Sequence, residues 1–369
     1  MRPSGRPMQI RRHSPAHLLL IGIGAVAAAA VVWWGSTLGD FQQGQMTRVL
    51  IYAVAITGLN VAAGYAGLIS VGHSAFFGLG AYTTGVLVVK FGWSAEATLP
   101  VAFGICLVAG FVVGLPALRI RGLYLAMVTL AFGVAFPELI AWAEKLTGGA
   151  EGLTIRRRML QPPGWTGFSL AEKGQWLYWL SVAVLVVVML LVHNLVRSRY
   201  GLALLAARDH EIAASASGIN LAAVKTMSMG VSGAITGVGG SLFAMYLGSL
   251  VAGDSFTLLN AISLLTGLVI GGQATRFGPL IGAVAVVYIP YYTADIGQGQ
   301  VAAVLFGAVL IALIFLAPQG LGGALFRLLH RFIVLVPAVR TSPPDPVDPA
   351  AAGDKDSATS RSNDLERQT

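Results

Sequence analysis

Apolar runs of spanning length follow one another along most of the chain, at about 18–34, 48–69, 73–90, 97–117, 122–142, 176–195, 222–245, 257–272, 278–293 and 301–317. A helix needs about 20 apolar residues to cross a bilayer core of about 30 Å. The pattern therefore predicts an all-α, polytopic transmembrane protein of about ten spans, several of them short and glycine-rich. The longest polar interruption with helical periodicity is 198–225. Within it Leu202, Leu205, Ala206, Ile212, Ala213, Ala216 and Ile219 recur at helical spacing, while Arg208, Asp209 and Glu211 interrupt them on other faces. A short helix lying on a membrane surface has this pattern, and between two spans it predicts a docking element for something cytoplasmic.

Flanking charges orient the spans. A basic leader, 1–17, carries Arg2, Arg6, Arg11 and Arg12. The first apolar run ends in Val31, Val32, Trp33 and Trp34 instead of a small-residue cleavage site, so it reads as a retained span and not a signal peptide. With the leader inside, the cytoplasmic connections receive Arg119, Arg121, Arg197, Arg199, Arg208, Arg276, Arg327 and Arg331. The opposite side receives Asp40, Glu96, Glu144, Glu151 and Glu172, with Lys145, Arg156, Arg157, Arg158 and Lys173 as basic exceptions. Those exceptions fall in the longest external loop, 143–175, where the rule is weakest. Its "TGGAEGLT" and "QPPGW" favour turns, and the loop reads equally as a docking surface or a solvated connector. Both termini lie inside, and the tail 337–369, rich in Pro, Asp, Ser and Ala, reads as a disordered cytoplasmic extension. The membrane domain is then 18–336.

Composition agrees with this class. Hydrophobic residues make up 56% and charged ones 11%, and the mean hydropathy is +0.74, which leaves too little polar surface to cover a soluble globule. The net charge of +8 is scattered at the ends of apolar runs, a pattern that argues against nucleic acid as a partner. The single cysteine, Cys106, sits inside an apolar run and reads as inert packing. No glycine spacing forms a phosphate-binding loop, and His210-Glu211 lacks a second histidine because Ala214 stands in its place. No catalytic residue, metal or cofactor is predicted. Carboxylates are scarce in the spans, Glu138 being the main exception, so uphill transport would draw its energy from another subunit.

The 46 glycines exceed what loops need. Gly58, Gly64, Gly67, Gly72, Gly78, Gly80 and Gly85 fall inside or between early spans, where they suit tight helix packing or a discontinuous helix near 64–74. Polar residues within the spans, Asn60, Ser70, His73, Ser74, Tyr82 and Thr129, are candidates for a translocation pathway, and Ser232, Thr236 and Ser241 follow later. His73 allows two readings: a pathway contact, or a neutral histidine bonded to a backbone carbonyl at a broken helix, the second being preferred. The blocks 48–142 and 222–317 start from opposite sides of the membrane, as an inverted repeat would.

"GLNVAAGYAGLISVGHSAFFGLGAY", "ALRIRGLYLAMVTLAFG", "TGGAEGLT", "GLALLAARDHEIAASASGIN" and "DSFTLLNAISLLTGLVIGG" together resemble the LivM-type permease subunit of bacterial branched-chain amino acid ABC transporters, over about 46–322. The resemblance implies a bacterial inner-membrane heterodimer with a second related permease, two cytoplasmic ATP-hydrolysing subunits and a periplasmic solute-binding protein. It makes 198–221 the element that couples to the ATPase, through Gly201, Leu205, Arg208, Asp209, Glu211, Ala213, Ala214, Gly218 and Ile219. Here Ile212 follows Glu211, which shifts the two alanines and Gly218 by one from the general importer pattern. Urea, amides and small carboxylates remain as alternative solutes. The alternative class is a self-sufficient channel or secondary carrier.

Overall fold

The computed structural model describes residues 8–11, 29–116, 123–296 and 333–336, together with isolated residues and short pieces between 301 and 323. The chain divides into two compact units. In the smaller, drawn from the two termini, Met8–Arg11 pairs in parallel with Ile333–Val336.

The larger unit is helical. Its main elements are α1 (Asp40–Leu59), α2 (His73–Phe91), α3 (Thr98–Gly114), α4 (Leu123–Trp142), α5 (Lys173–Arg197), α6 (Arg199–Asp209), α7 (Glu211–Ala216), α8 (Leu221–Leu247), α9 (Leu258–Gly271) and α10 (Gly278–Ile296). Six helices among the described residues are long and apolar enough to cross a membrane: Asp40–Tyr65, His73–Phe91, Tyr124–Trp142, Leu170–Arg197, Leu221–Leu247 and Ala252–Gly271. Two of the ten runs fall short of spanning length as helices, at Thr98–Gly114 and Gly278–Ala294. The run at 18–34 is described only from residue 29, helical to 36, and the run at 301–317 only in fragments. The leader beyond 8–11, Arg119, Arg121, Arg327, Arg331 and the tail 337–369 lie outside the described residues.

α8 is the axis of the unit. At 27 residues it rises about 40 Å, and its most extensive contacts are with α3, α2 and α1. Small residues on three sides let three backbones come close. Ser232 Oγ donates to the Gly58 carbonyl (2.6 Å) and Thr236 Oγ1 to the Ala55 carbonyl (3.3 Å), so α1 runs antiparallel to α8. Ser241 Oγ donates to the Gly80 carbonyl (3.1 Å) while His73 meets Ser232, so α2 runs parallel to it. A Cβ added at Gly110 would lie 2.7 Å from the Met229 carbonyl oxygen, and Gly237 leaves room for Cys106, so α3 descends along a third side. The alternating directions are those of consecutive crossings. Lys225, near the start of α8, is buried and paired with Glu211 (2.5 Å).

Beyond the opposite end of α8 the chain 143–175 is more ordered than its turn-rich sequence suggests. It contains one short α-helix, Glu144–Thr147, and a series of 3-10 turns. Its strand β1 (Leu153–Thr154) pairs antiparallel with β2 (Ser249–Leu250), and the Ile155 N–H donates to the Gly248 carbonyl (2.8 Å). Leu153, Ile155 and Leu160 are buried beneath it. The Tyr82 hydroxyl donates to the Leu250 carbonyl (3.1 Å), and Tyr82, Phe136 and Phe256 stack edge to face below.

Close approach to α8 makes the glycines unequal. A Cβ at Gly58 would lie 2.5 Å from Thr236 Oγ1 and 2.8 Å from the Ser232 carbonyl oxygen, whereas one at Gly104 meets nothing within 4 Å. Gly58→Val is expected to lower the thermal midpoint of the detergent-purified protein by the equivalent of about 1–3 kcal/mol. Gly104→Ala should leave it unchanged or raise it slightly, as measured by fluorescence-detected thermal unfolding.

Candidate functional site

α1 does not end cleanly. From Asn60 to Tyr65 it widens into a π-helix, and 66–72 is irregular before α2 begins at His73. Gly67, at φ +68°, turns the chain where a side chain would be strained, and a Cβ there would also meet Arg208 Cγ at 2.7 Å. π-turns and irregular backbone inside a membrane domain persist only where other protein groups satisfy them, and here the partners can be traced.

Asn60 is buried at the start of the π-turn. Its Nδ2 donates to the Thr275 carbonyl (3.0 Å), and its Oδ1 accepts from the Ala274 N–H (2.9 Å). Ala274 has φ +55°, rare for a residue with a Cβ. One asparagine therefore joins the break after α1 to the 272–277 turn between α9 and α10. Thr129 Oγ1 accepts from the Val71 N–H (3.1 Å) and donates to the Ala126 carbonyl (3.0 Å), which ties the irregular segment to α4.

His73 lies at the centre of a buried relay. Ser232 donates its proton to the Gly58 carbonyl, so its oxygen accepts from His73 Nε2 (2.7 Å), and His73 Nδ1 accepts from the Ser70 hydroxyl (2.8 Å). The neutral Nε2–H tautomer satisfies every member. The ring is held by two serine hydroxyls and reaches the Gly58 carbonyl only through Ser232, where the sequence reading expects a direct bond to a backbone carbonyl. Ser74, one residue on, is fully buried with a hydroxyl that has no hydrogen-bond partner. Tyr82 lies apart from this group, at the end of α8 beneath β2.

The 198–221 stretch forms a helical pair, α6 and α7, joined by an extended His210. Ser198 caps α6 through the Gly201 N–H (3.4 Å), and Gly201 is packed against the end of α5. Gly218 closes α7 at φ +82°, with its N–H bonded to the Ser215 carbonyl and that of Ile219 to the Ala214 carbonyl. Ala214 is buried, and Leu205 packs partly buried on the core. Leu202 and Ile212 face outward, 65% and 81% exposed. The charges are engaged within the chain. Arg208 Nη1 donates to the Gly64 carbonyl in the π-turn (3.1 Å), its Nη2 pairs with Asp209 (3.0 Å), and Glu211 holds Lys225. Burial raises the Tyr200 phenol above its ordinary value, opposed in part by Ser228, so it remains a donor to the Val224 carbonyl (2.9 Å) at working pH.

Asn60, Ser70, His73, Ser74 and Thr129 thus gather around one break, and Arg208 reaches the same break from α6. The residues that complete the arrangement but carry no motif are Lys225, Ser232, Ala274 and Thr275. Lys225 was the most accessible to sequence reasoning, being a lone charge at the start of an apolar run; the backbone partners at 274 and 275 leave no trace in residue type. Among the described residues no three His, Cys, Asp or Glu side chains gather to hold a metal ion.

The family described as "Branched-chain amino acid transport system / permease component" matches residues 43–317. The high-affinity branched-chain amino acid transport system permease proteins LivM of Salmonella typhimurium and Escherichia coli are each 30% identical to this chain over 293 residues, 74% of this chain and 68% of theirs. The probable branched-chain amino acid transport permease protein LivM of Methanocaldococcus jannaschii is 23% identical over 318 residues, 73% of this chain and 90% of its own. No solved structure matches the chain.

Two buried serines should behave oppositely. Ser232→Ala strands the His73 Nε2–H and is expected to cost about 1–3 kcal/mol of stability. Ser74→Ala removes a hydroxyl without a partner and should cost nothing measurable. Thermal unfolding of the two variants side by side reads the difference.

Proposed function

Because the chain belongs to the family of branched-chain amino acid transport system permease components, we propose that it is the membrane-spanning permease subunit of an ATP-binding cassette importer, carrying branched-chain or related amino acids across the bacterial inner membrane. It contributes no catalytic group of its own. A second related permease completes the pathway, two cytoplasmic subunits hydrolyse ATP, and a periplasmic solute-binding protein delivers the solute. The blocks 48–142 and 222–317 are read as inverted repeats within a ten-span topology that keeps both termini in the cytoplasm.

The observation that carries this reading is the two-sided character of α6 and α7. Outward, Leu202 and Ile212 offer apolar surface to a partner. Inward, Arg208 grips the π-turn at Gly64 and Glu211 grips α8 at Lys225. When the ATPase subunits close on nucleotide they push the pair, and the push reaches two membrane helices through these bonds. Rigid packing on α8 moves the spans as bodies, while the break at 64–72 supplies the backbone freedom that alternating access requires. The solute route is read as passing beside that break, where the Ser74 hydroxyl is unpartnered, a reading supported by the gathering of Asn60, Ser70, Ser74 and Thr129 there. The anchored loop 143–175, with Trp165 86% exposed, offers a firm platform to the solute-binding protein.

The complete complex, reconstituted in vesicles, should take up radiolabelled leucine only with ATP, and competition by urea, amides or short carboxylates identifies a different solute of the same class. Flux through this chain alone, without ATP, overturns the importer reading. Ile212→Glu is expected to reduce both ATPase co-purification and uptake by roughly tenfold, the effect of about 1.4 kcal/mol. Arg208→Met should leave co-purification and ATP hydrolysis in place while lowering uptake by a similar factor, because its guanidinium is bound inward.

A further inference from the structure

Between the π-turn, α5 and the 272–277 turn lies a cavity of about 310 Å³, open toward the outer face of α5. Val186, Met189 and Leu190 of α5 and Phe277 form its apolar walls, and Val186, Leu190 and Phe277 are more than half exposed at 52%, 57% and 61%. Polar groups at its floor are already spent: Thr57 donates to the Ala53 carbonyl, and Asn60 is saturated by Ala274 and Thr275. The Tyr65 phenol is the polar group left over on this lining, a single partner for a small solute. A hydrocarbon chain needs none.

The rim has the opposite character. Arg276 and His193 line it, no carboxylate does, and the charges of both Arg276 and Arg197 reach the His193 ring. Among the described residues Arg276 makes no hydrogen bond or ion pair, and it is exposed. From Val186 to His193 the helix rises about 10 Å, so the walls lie at acyl depth while the basic groups stand at the level of headgroups. Basic pockets between membrane helices at the cytoplasmic surface select anionic lipids.

We propose that this groove holds one anionic phospholipid, its phosphate at Arg276 with His193 and Arg197, and an acyl chain along Val186, Met189, Leu190 and Phe277. Only the choice of the cytoplasmic leaflet rests on the topology proposed above. The headgroup sits at the turn that Asn60 joins to the π-turn, so an occupied groove braces the break through that turn.

Native mass spectrometry of the full-length chain in detergent, titrated with phosphatidylglycerol and with phosphatidylethanolamine, tests this. Arg276→Gln should reduce bound phosphatidylglycerol about fivefold, as loss of one basic contact predicts. Leu190→Trp, which fills the apolar wall, should do the same, with phosphatidylethanolamine binding little changed and millimolar inorganic phosphate failing to compete. Equal phosphatidylglycerol binding by wild type and both variants overturns the proposal. Competition by phosphate with no effect of Leu190→Trp also overturns it, in favour of a small-anion site. Protection of a Leu190→Cys thiol by assembly with a second permease in lipid-free detergent overturns it in favour of a subunit interface.

Discussion

Hydrocarbon offers no hydrogen bonds, so the hydroxyls of Ser232, Thr236 and Ser241 must find partners on the backbones of α1 and α2. Those partners are within reach only because glycine lets the backbones close in. Glycine at 58, 80, 110 and 237 and hydroxyl at 232, 236 and 241 are two halves of one device. Apolar attraction cannot hold helices together among lipid tails that are equally apolar. Close contact and buried polar bonds can, and α8 carries both toward α1 and α2 and close contact toward α3.

With the axis so fixed, the few places where backbone geometry departs from the helix acquire meaning. The π-turn and the segment after it are held by Asn60 to the 272–277 turn, by Thr129 to α4 and by Arg208 to α6. Each contact ends on a peptide group. Side chains reaching for backbone stabilise an irregular path without demanding a particular residue on the other side, which leaves the path able to change register. The His73 relay is different in kind, since all its members are satisfied and it locks the start of α2 against α1 and α8.

Much of this was legible in the residues. The apolar runs, the glycine texture and the amphipathic 198–221 stretch define the class, because hydropathy and helical periodicity act over windows long enough to read. The span at 97–117 was overestimated in length, since apolar character continues past Gly114 where the helix ends, whereas the helix at 278–293 continues to Ile296. The charges of 198–221 were legible as charges, but their partners were not: Arg208 meets a carbonyl 144 positions away, and nothing in residue type marks a carbonyl. The order in 143–175 was hidden for a similar reason, as β1 and β2 are two residues each and their pairing lies in backbone register.

α3 has 17 residues and α5 has 25, which gives lengths of about 26 Å and about 38 Å. The outward face of α3 is apolar, with Val108 and Val112 both well exposed, and wherever lipid covers it the mismatch is felt. A bilayer core of about 30 Å is therefore too thick at one flank and too thin at the other. The surrounding membrane must be wedge-shaped, pinched beside α3 and stretched, or met by a tilted helix, beside α5. Such a chain feels the thickness of its host membrane as a torque about α8, which makes bilayer composition a mechanical input to its conformation.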